Sequence, residues 1–172
     1  MNELERLSKD AFQHAEKSPL VVVLDNVRSM HNVGSVFRTC DAFLVEKIYL
    51  CGFTPTPPHR EIQKTALGAT ETVAWETFSI TTDLIKHLKE NNYTIYAVEQ
   101  THNSIALDAF TTPEQTKIAL VFGNEADGVS EEVVKCCDGC IEIPQFGSKH
   151  SFNISVSAGI VLWDIFNKSK KA

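Results

Sequence analysis

The stretch IPQFGSKHSFNISVSAG, residues 143–159, decides how this chain is read. The apolar run Cys140 to Ile143 before it reads as a strand, and Pro144 stops that strand by removing a backbone donor. Gly147 to His150 reads as a loop, after which Ser151 or Asn153 can cap a helix predicted over 153–167. Along that helix Ile154, Ala158, Val161, Leu162 and Ile165 form one apolar stripe, and Val156, Ile160, Trp163 and Phe166 form a second on other sides. A helix apolar nearly all round is buried on two sides. One side can meet a sheet; in a domain this small the other is expected to meet a second copy of the chain, giving a homodimer.

Two other segments join an apolar run to glycine and polar residues in the same way. The first is NVGSVFRT, residues 32–39. It follows a predicted strand, Leu20 to Leu24, whose unbroken apolar character suits a strand covered on both faces. A loop over 26–31 then leads to a helix predicted over 32–44, with Asn32 as its cap. Val33, Val36, Phe37, Cys40 and Phe43 share one stripe of this helix, and Arg38 points about 140° away from Val33. Arg38 is therefore not needed for the core, and a helix start after a strand favours anions. The second segment is LVFGNEADG, residues 120–128, where a buried strand ends in Gly123, Asn124 and Glu125. Gly123 permits close approach to the backbone, and Glu125 past a strand end can orient a polar substrate.

The remaining pattern gives strands over 47–51, 72–75 and 93–98, and helices over 60–67 and 81–90. An amphipathic helix over 2–16 carries Leu4, Leu7, Ala11 and Ala15 on one face, and a further helix starts at Ser130 ahead of Glu131 and Glu132. Strands alternate with helices, so the fold class is α/β, a mostly parallel sheet with helices on both faces. Such sheets place their ligands outside the carboxyl ends of the strands, where all three segments lie. One domain over 1–172 is expected, with an N-terminal helix (1–18), a core (20–166) and a frayed tail (168–172).

Composition narrows the function. With 43% hydrophobic and 22% charged residues the chain is an ordinary globular one, and no apolar run approaches the roughly 20 residues of a membrane span. The charged N-terminus has no signal-peptide core, so a cytoplasmic location is expected. Five cysteines, with Cys136, Cys137 and Cys140 close together, lack a second pair that would complete a metal site, and read as reduced small core hydrophobes. A net charge of −6 argues against binding nucleic acid by bulk electrostatics but leaves room for local cations. There is no GxGxxG, no GxxxxGK[ST] and no GxSxG, which weakens dinucleotide, P-loop and serine-hydrolase readings.

Taken together and in order, the segments resemble the SpoU/TrmH-like branch of the SPOUT RNA methyltransferases. Asn32-Val33-Gly34 with Arg38 looks like the first motif of that family, and Phe122-Gly123-Asn124-Glu125 with Gly128 like its second. Ile143-Pro144, Gly147 and Ser151-Phe152-Asn153-Ile154-Ser155-Val156 look like its third. Gln145 and Leu44 depart from it, standing where methionine and glycine are common. The resemblance implies a C-terminal deep trefoil knot, a homodimer, S-adenosylmethionine as cofactor, and methyl transfer to a ribose 2′-hydroxyl of tRNA or, as the alternative, rRNA; a non-catalytic RNA-binding dimer of the same fold is the competing reading.

On that reading Arg38 sits beside the hydroxyl, Asn32 and Glu125 orient it or the ribose, and Ser151 and Asn153 shape the pocket. Phe122, Gly123, Asn124, Ile143, Pro144, Ser151 and Phe152 cradle the cofactor, and no metal is required. RNA is expected on local cations: Arg28 and His31 in the first loop, His59, Arg60 and Lys64 on a short helix, and Lys149 with His150 beside Ser151.

Overall fold

The computed structural model describes residues 7–112, 116–148 and 151–171, with residues 170 and 171 by backbone alone. Among the described residues seven strands form one sheet: β1 (Ser18–Asp25), β2 (Val45–Cys51), β3 (Ala74–Phe78), β4 (Tyr93–Val98), β5 (Ile105–Ala106), β6 (Lys117–Phe122) and β7 (Gly139–Glu142). Their order is β3-β2-β1-β6-β4-β7-β5, and every pairing is parallel. Six helices of the described residues accompany them: α1 (Lys9–His14), α2 (Met30–Ala42), α3 (Arg60–Ala66), α4 (Thr81–Glu90), α5 (Glu131–Cys136) and α6 (Ile154–Lys171). No helix is long and apolar enough to cross a membrane among the described residues.

The period of two in β1 builds both cores. Leu20, Val22 and Leu24 face one layer, where Val33, Val36 and Phe37 of α2, Ile62 of α3 and Leu162 and Ile165 of α6 are buried. Val21 and Val23 face the other, with Leu84, Ile85 and Leu88 of α4 and Val133 of α5. The chain runs from β1 outward through β2 to β3, then crosses to β4 and β5 on the far side of β1. After that β6 inserts between β1 and β4, and β7 between β4 and β5. That reversal opens a crevice at the carboxyl ends of β1, β6, β4 and β7.

Several elements depart from the sequence expectation. Helix α2 starts two residues early, because the Ser29 hydroxyl takes the cap by accepting from the Asn32 N–H at 3.2 Å. Asn32 therefore lies within the first turn, and its side chain is free for other work. The helix ends at Ala42, and Leu44 follows with φ at +52°, a left-handed conformation in which the expected glycine would be unstrained. Strand β3 begins later than predicted, since Val73 still bonds back to Ala69 at the end of a 3-10 turn. Two-residue β5 is too short for any periodicity to reveal. In α1 Phe12, not Leu7 or Ala15, enters the core; Leu7 is exposed, and residues 2–6 of the predicted helix lie outside the described residues. Helix α6 continues through the expected tail, where Lys168 donates to the Leu107 carbonyl at 2.6 Å.

Thr54 ties the loop after β2 to the end of β1. It is buried in the loop after β2, and its hydroxyl oxygen accepts from the Val27 N–H at 3.0 Å and lies within hydrogen-bonding reach of the Leu24 and Cys51 carbonyls. Thr54→Val keeps the shape but strands a buried N–H, so urea denaturation should show a loss of about 1–3 kcal/mol, with Thr54→Ser retaining most of the stability.

Candidate functional site

Three loops meet over the crevice, and a single carboxylate joins two of them. Glu125, just past β6, accepts from the Arg28 N–H at 2.9 Å, the Ser29 N–H at 3.0 Å and the Asn32 side-chain amide at 2.9 Å. The Asn32 carbonyl oxygen in turn accepts from the Asn153 amide at 3.2 Å. Asn153 caps α6, its own oxygen accepting from the Ser155 N–H at 2.9 Å and the Ser155 hydroxyl at 2.6 Å. One hydrogen-bonded chain thus runs through all three sequence segments. Burial pushes the Glu125 carboxyl up, but the Arg28 N–H, the Asn32 amide and the Ser29 N–H outweigh it and hold the group below the ordinary glutamate range.

The loop after β6 is shaped as tightly. Asn124 is buried; its amide donates to the Asn26 carbonyl at 2.7 Å, and its oxygen accepts from the Ala126 N–H at 2.8 Å. Asn124 and Gly128 exchange both backbone bonds across the turn. A Cβ on Gly123 would stand 2.1 Å from the Gly128 carbonyl carbon, so glycine is required there. Glu99, at the end of β4, accepts from the Val129 N–H at 3.0 Å and the Gln100 N–H at 2.9 Å and fixes the far side of the loop.

Between these loops lies a cavity of about 490 Å³. Of the residues expected to hold a cofactor, Phe122, Gly123, Asn124, Ile143, Ser151 and Phe152 line it; Pro144 does not. Glu125 and Asn153 line it as well, while Asn32 joins only through its bonds to both. Sequence reasoning missed Glu99, Gln100, Asp127, Glu142 and Ser157. Glu99 and Glu142 stand at or just past a strand's carboxyl end, the one signal that marks them.

Arg38 is exposed, off the apolar stripe, with no polar partner among the described residues, and it does not line the cavity. It lies six residues beyond Asn32, about 9 Å further along the helix axis.

The proposed RNA cations divide. Arg28 and Arg60 are exposed. His31 and Lys64 are held by Glu61, at 2.9 Å and 2.7 Å, and His59 caps α3 by accepting from the Glu61 N–H at 3.2 Å. Lys149 and His150 lie outside the described residues. The cysteines are free thiols, and burial holds Cys51 and Cys137 up at about 12. Among the described residues no group of three or more His, Cys, Asp or Glu could hold a metal ion.

The model of the SpoU rRNA Methylase family matches residues 19–163. The chain belongs to this family. A 23S rRNA (guanosine-2'-O-)-methyltransferase RlmB of Neisseria meningitidis is 32% identical to it over 154 residues, 90% of this chain. The chain spans only 60% of that relative's length. A tRNA (guanosine(18)-2'-O)-methyltransferase of Thermus thermophilus is 34% identical over 156 residues, covering 89% of this chain and 77% of the relative. Among solved structures, an AdoMet-bound rRNA methyltransferase from Sinorhizobium meliloti superimposes with a TM-score of 0.79 at 26% identity, over 92% of this chain and 60% of the other.

The lowered Glu125 carboxyl carries a pH signature. Its folded value lies below its unfolded one, so its stabilisation is present above the ordinary glutamate value of about 4.3 and is lost as pH falls through the folded value. Denaturant unfolding should find Glu125→Gln less stable than the parent chain at pH 7, the two converging in acid.

Proposed function

We propose that this chain transfers a methyl group from S-adenosylmethionine to a ribose 2′-hydroxyl of structured RNA, tRNA before rRNA. The observation that carries the reading is the chain from Glu125 through Asn32 to Asn153 at the mouth of the 490 Å³ cavity. The cavity suits a cationic nucleoside. Glu99, Glu125, Asp127 and Glu142 give it negative charge, Phe122, Ile143 and Phe152 give it apolar faces, and the bare backbone at Gly123 lets a ligand come close. When bound, S-adenosylmethionine supplies a methyl group already activated on a sulfonium centre. The T. thermophilus relative supports tRNA as the substrate class, and the N. meningitidis relative supports rRNA as the alternative.

The protein has two tasks, to hold the hydroxyl in line at about 3–3.5 Å and to help its proton leave. Asn32 is held at both ends of its amide and fixes Asn153 in turn, while the Ser151 hydroxyl on the cavity wall orients the ribose. Ionised Glu125 spends its charge on three donors, which makes it an organiser of the site and not a free base. The role of the cationic Arg38 is to position the hydroxyl and stabilise the oxygen as the proton leaves to solvent or an RNA phosphate.

Arg38 reaches that place from the second subunit of a homodimer. Helix α6 buries its first stripe against the sheet and leaves Val156 and Trp163 on its outer side 47% and 58% exposed. Trp163 packs beside Phe43 of α2, ring centroids 6.0 Å apart, so the outer faces of α2 and α6 form one surface for a twofold contact. The segment after β7 threads the loop after β6 in the trefoil knot expected of the family; the two loops line one cavity, which supports this path. Work on RNA substrates fits the cytoplasm.

Calorimetry should show S-adenosylhomocysteine binding to the wild-type chain and to Arg38→Ala alike, while methyl transfer from labelled cofactor to RNA falls by at least a hundredfold in the variant. Equal turnover by the variant would remove Arg38 from the mechanism. Mapping 2′-O-methyl sites in total RNA with and without the protein identifies the substrate.

Trp163→Lys places a charge in the proposed contact. Sedimentation velocity at micromolar concentration should find a dimer for the wild-type chain and a folded monomer for this variant. A monomeric wild type would rule out the shared site.

A further inference from the structure

The loop between β2 and α3 holds an aromatic ring out to solvent on a rigid backbone. Phe53 is 59% exposed, and its N–H donates to the Asn26 side-chain oxygen at 3.2 Å. Gly52 before it has φ at +62° and packs so closely that a Cβ would stand 2.0 Å from the same oxygen. Thr54 after it is the buried residue whose hydroxyl ties the loop to β1. Both neighbours are spent on fixing the backbone, and the ring between them contributes little to the core. An exposed ring on a fixed loop marks a contact surface more than a packing accident.

The ring does not stand alone. The Arg28 guanidinium lies over it, 5.7 Å from the centroid. The backbone N–H of Arg28 is one of the three donors to Glu125. Ring and cation therefore border the hydrogen-bonded network, and neither residue lines the cofactor cavity. The exposed residues that follow Phe53 along the loop and into α3 are Thr56, Pro58, His59 and Arg60, more polar or cationic than apolar. That surrounding suits a polyanion with flat apolar rings better than the greasy face of a protein.

We propose that Phe53 and Arg28 form a stacking platform for an unpaired nucleobase of the RNA substrate, beside the ribose held at the Glu125–Asn32–Asn153 network. Proteins that read single-stranded RNA stack splayed bases on aromatic rings and on arginine planes. A ribose whose 2′-hydroxyl enters a protein pocket must leave regular stacking, and its own or a flanking base then needs a new face. Phe53 offers that face, and Arg28 adds a cation to a ring system and to the neighbouring phosphate. This inference rests on the RNA-methylation reading above and names the residues that hold the base.

The test uses the full chain, a fluorescein-labelled unmodified tRNA transcript, and a short single-stranded RNA carrying 2-aminopurine. Phe53→Ala should weaken tRNA binding by about tenfold, the size of one lost base stack, and abolish the 2-aminopurine quenching that stacking produces. Phe53→Trp should keep both. Calorimetric affinity for S-adenosylhomocysteine and the sedimentation coefficient should not change in either variant. Unaltered quenching and affinity in Phe53→Ala would overturn the platform alone. A changed sedimentation coefficient would overturn it too, by making the ring a subunit contact. If the wild-type chain binds neither RNA, the RNA reading itself falls and takes the platform with it.

Discussion

The site depends on one charge, the Glu125 carboxylate. It is placed by the end of β6 and grips the start of α2 through two backbone N–H groups and one amide. Residues nearly a hundred positions apart are thereby fixed against each other, and Asn32 hands the constraint to Asn153 at the cap of α6. A neutral group could accept fewer and weaker bonds, since hydrogen bonds to ionised acceptors are the strong ones. The same bonds keep the group ionised, because they favour the charged form over the protonated one. Geometry and ionisation support each other, so the network is preorganised before any ligand arrives.

Around that centre the protein separates two kinds of surface. The cavity is ringed by acidic side chains at the carboxyl ends of β4, β6 and β7, while Arg28 in the loop after β1 and Arg60 at the start of α3 are exposed. The net charge of −6 conceals this division, because it sums over both surfaces. A cationic cofactor and an anionic polymer can thus approach one site from different directions without competing for the same field.

Much of this was legible before any coordinates. The first stripe of α6 is found as read, with Ile154, Ala158, Val161, Leu162 and Ile165 buried. Of the second, Val156 and Trp163 are exposed, while Ile160 is partly buried against the core and Phe166 against Phe43. The parallel sheet follows from the alternation of apolar runs and amphipathic helices, and the convergence of three segments follows from their place at strand ends. What was hidden was hidden for local reasons. Ser29 and Asn32 are both good caps, and nothing in the sequence says that the first wins and releases the second. Glu99 has no motif around it, and only the fold brings it to Val129. Pro144 sits in the right motif but does not line the cavity, since a motif names a segment and not the contacts of each residue in it. His31 and Lys64 read as free cations because Glu61, their shared partner, reaches His31 from thirty positions away.

The cavity walls come from residues 98–100, 122–128, 142, 143, 145, 151–154 and 157. None comes from β1, β2 or α2, although those elements make up much of the sheet and one of its cores. During translation, then, the early half of the chain can collapse around β1 and β2 while the binding site does not yet exist. The last piece, the start of α6, brings Phe152, Asn153, Ile154 and Ser157 together and completes the wall only after β7 has found its place beside β4. Ligand affinity is therefore a property of the finished molecule alone. Nascent chains on the ribosome, and products cut short before residue 150, would neither sequester the cofactor nor compete for it.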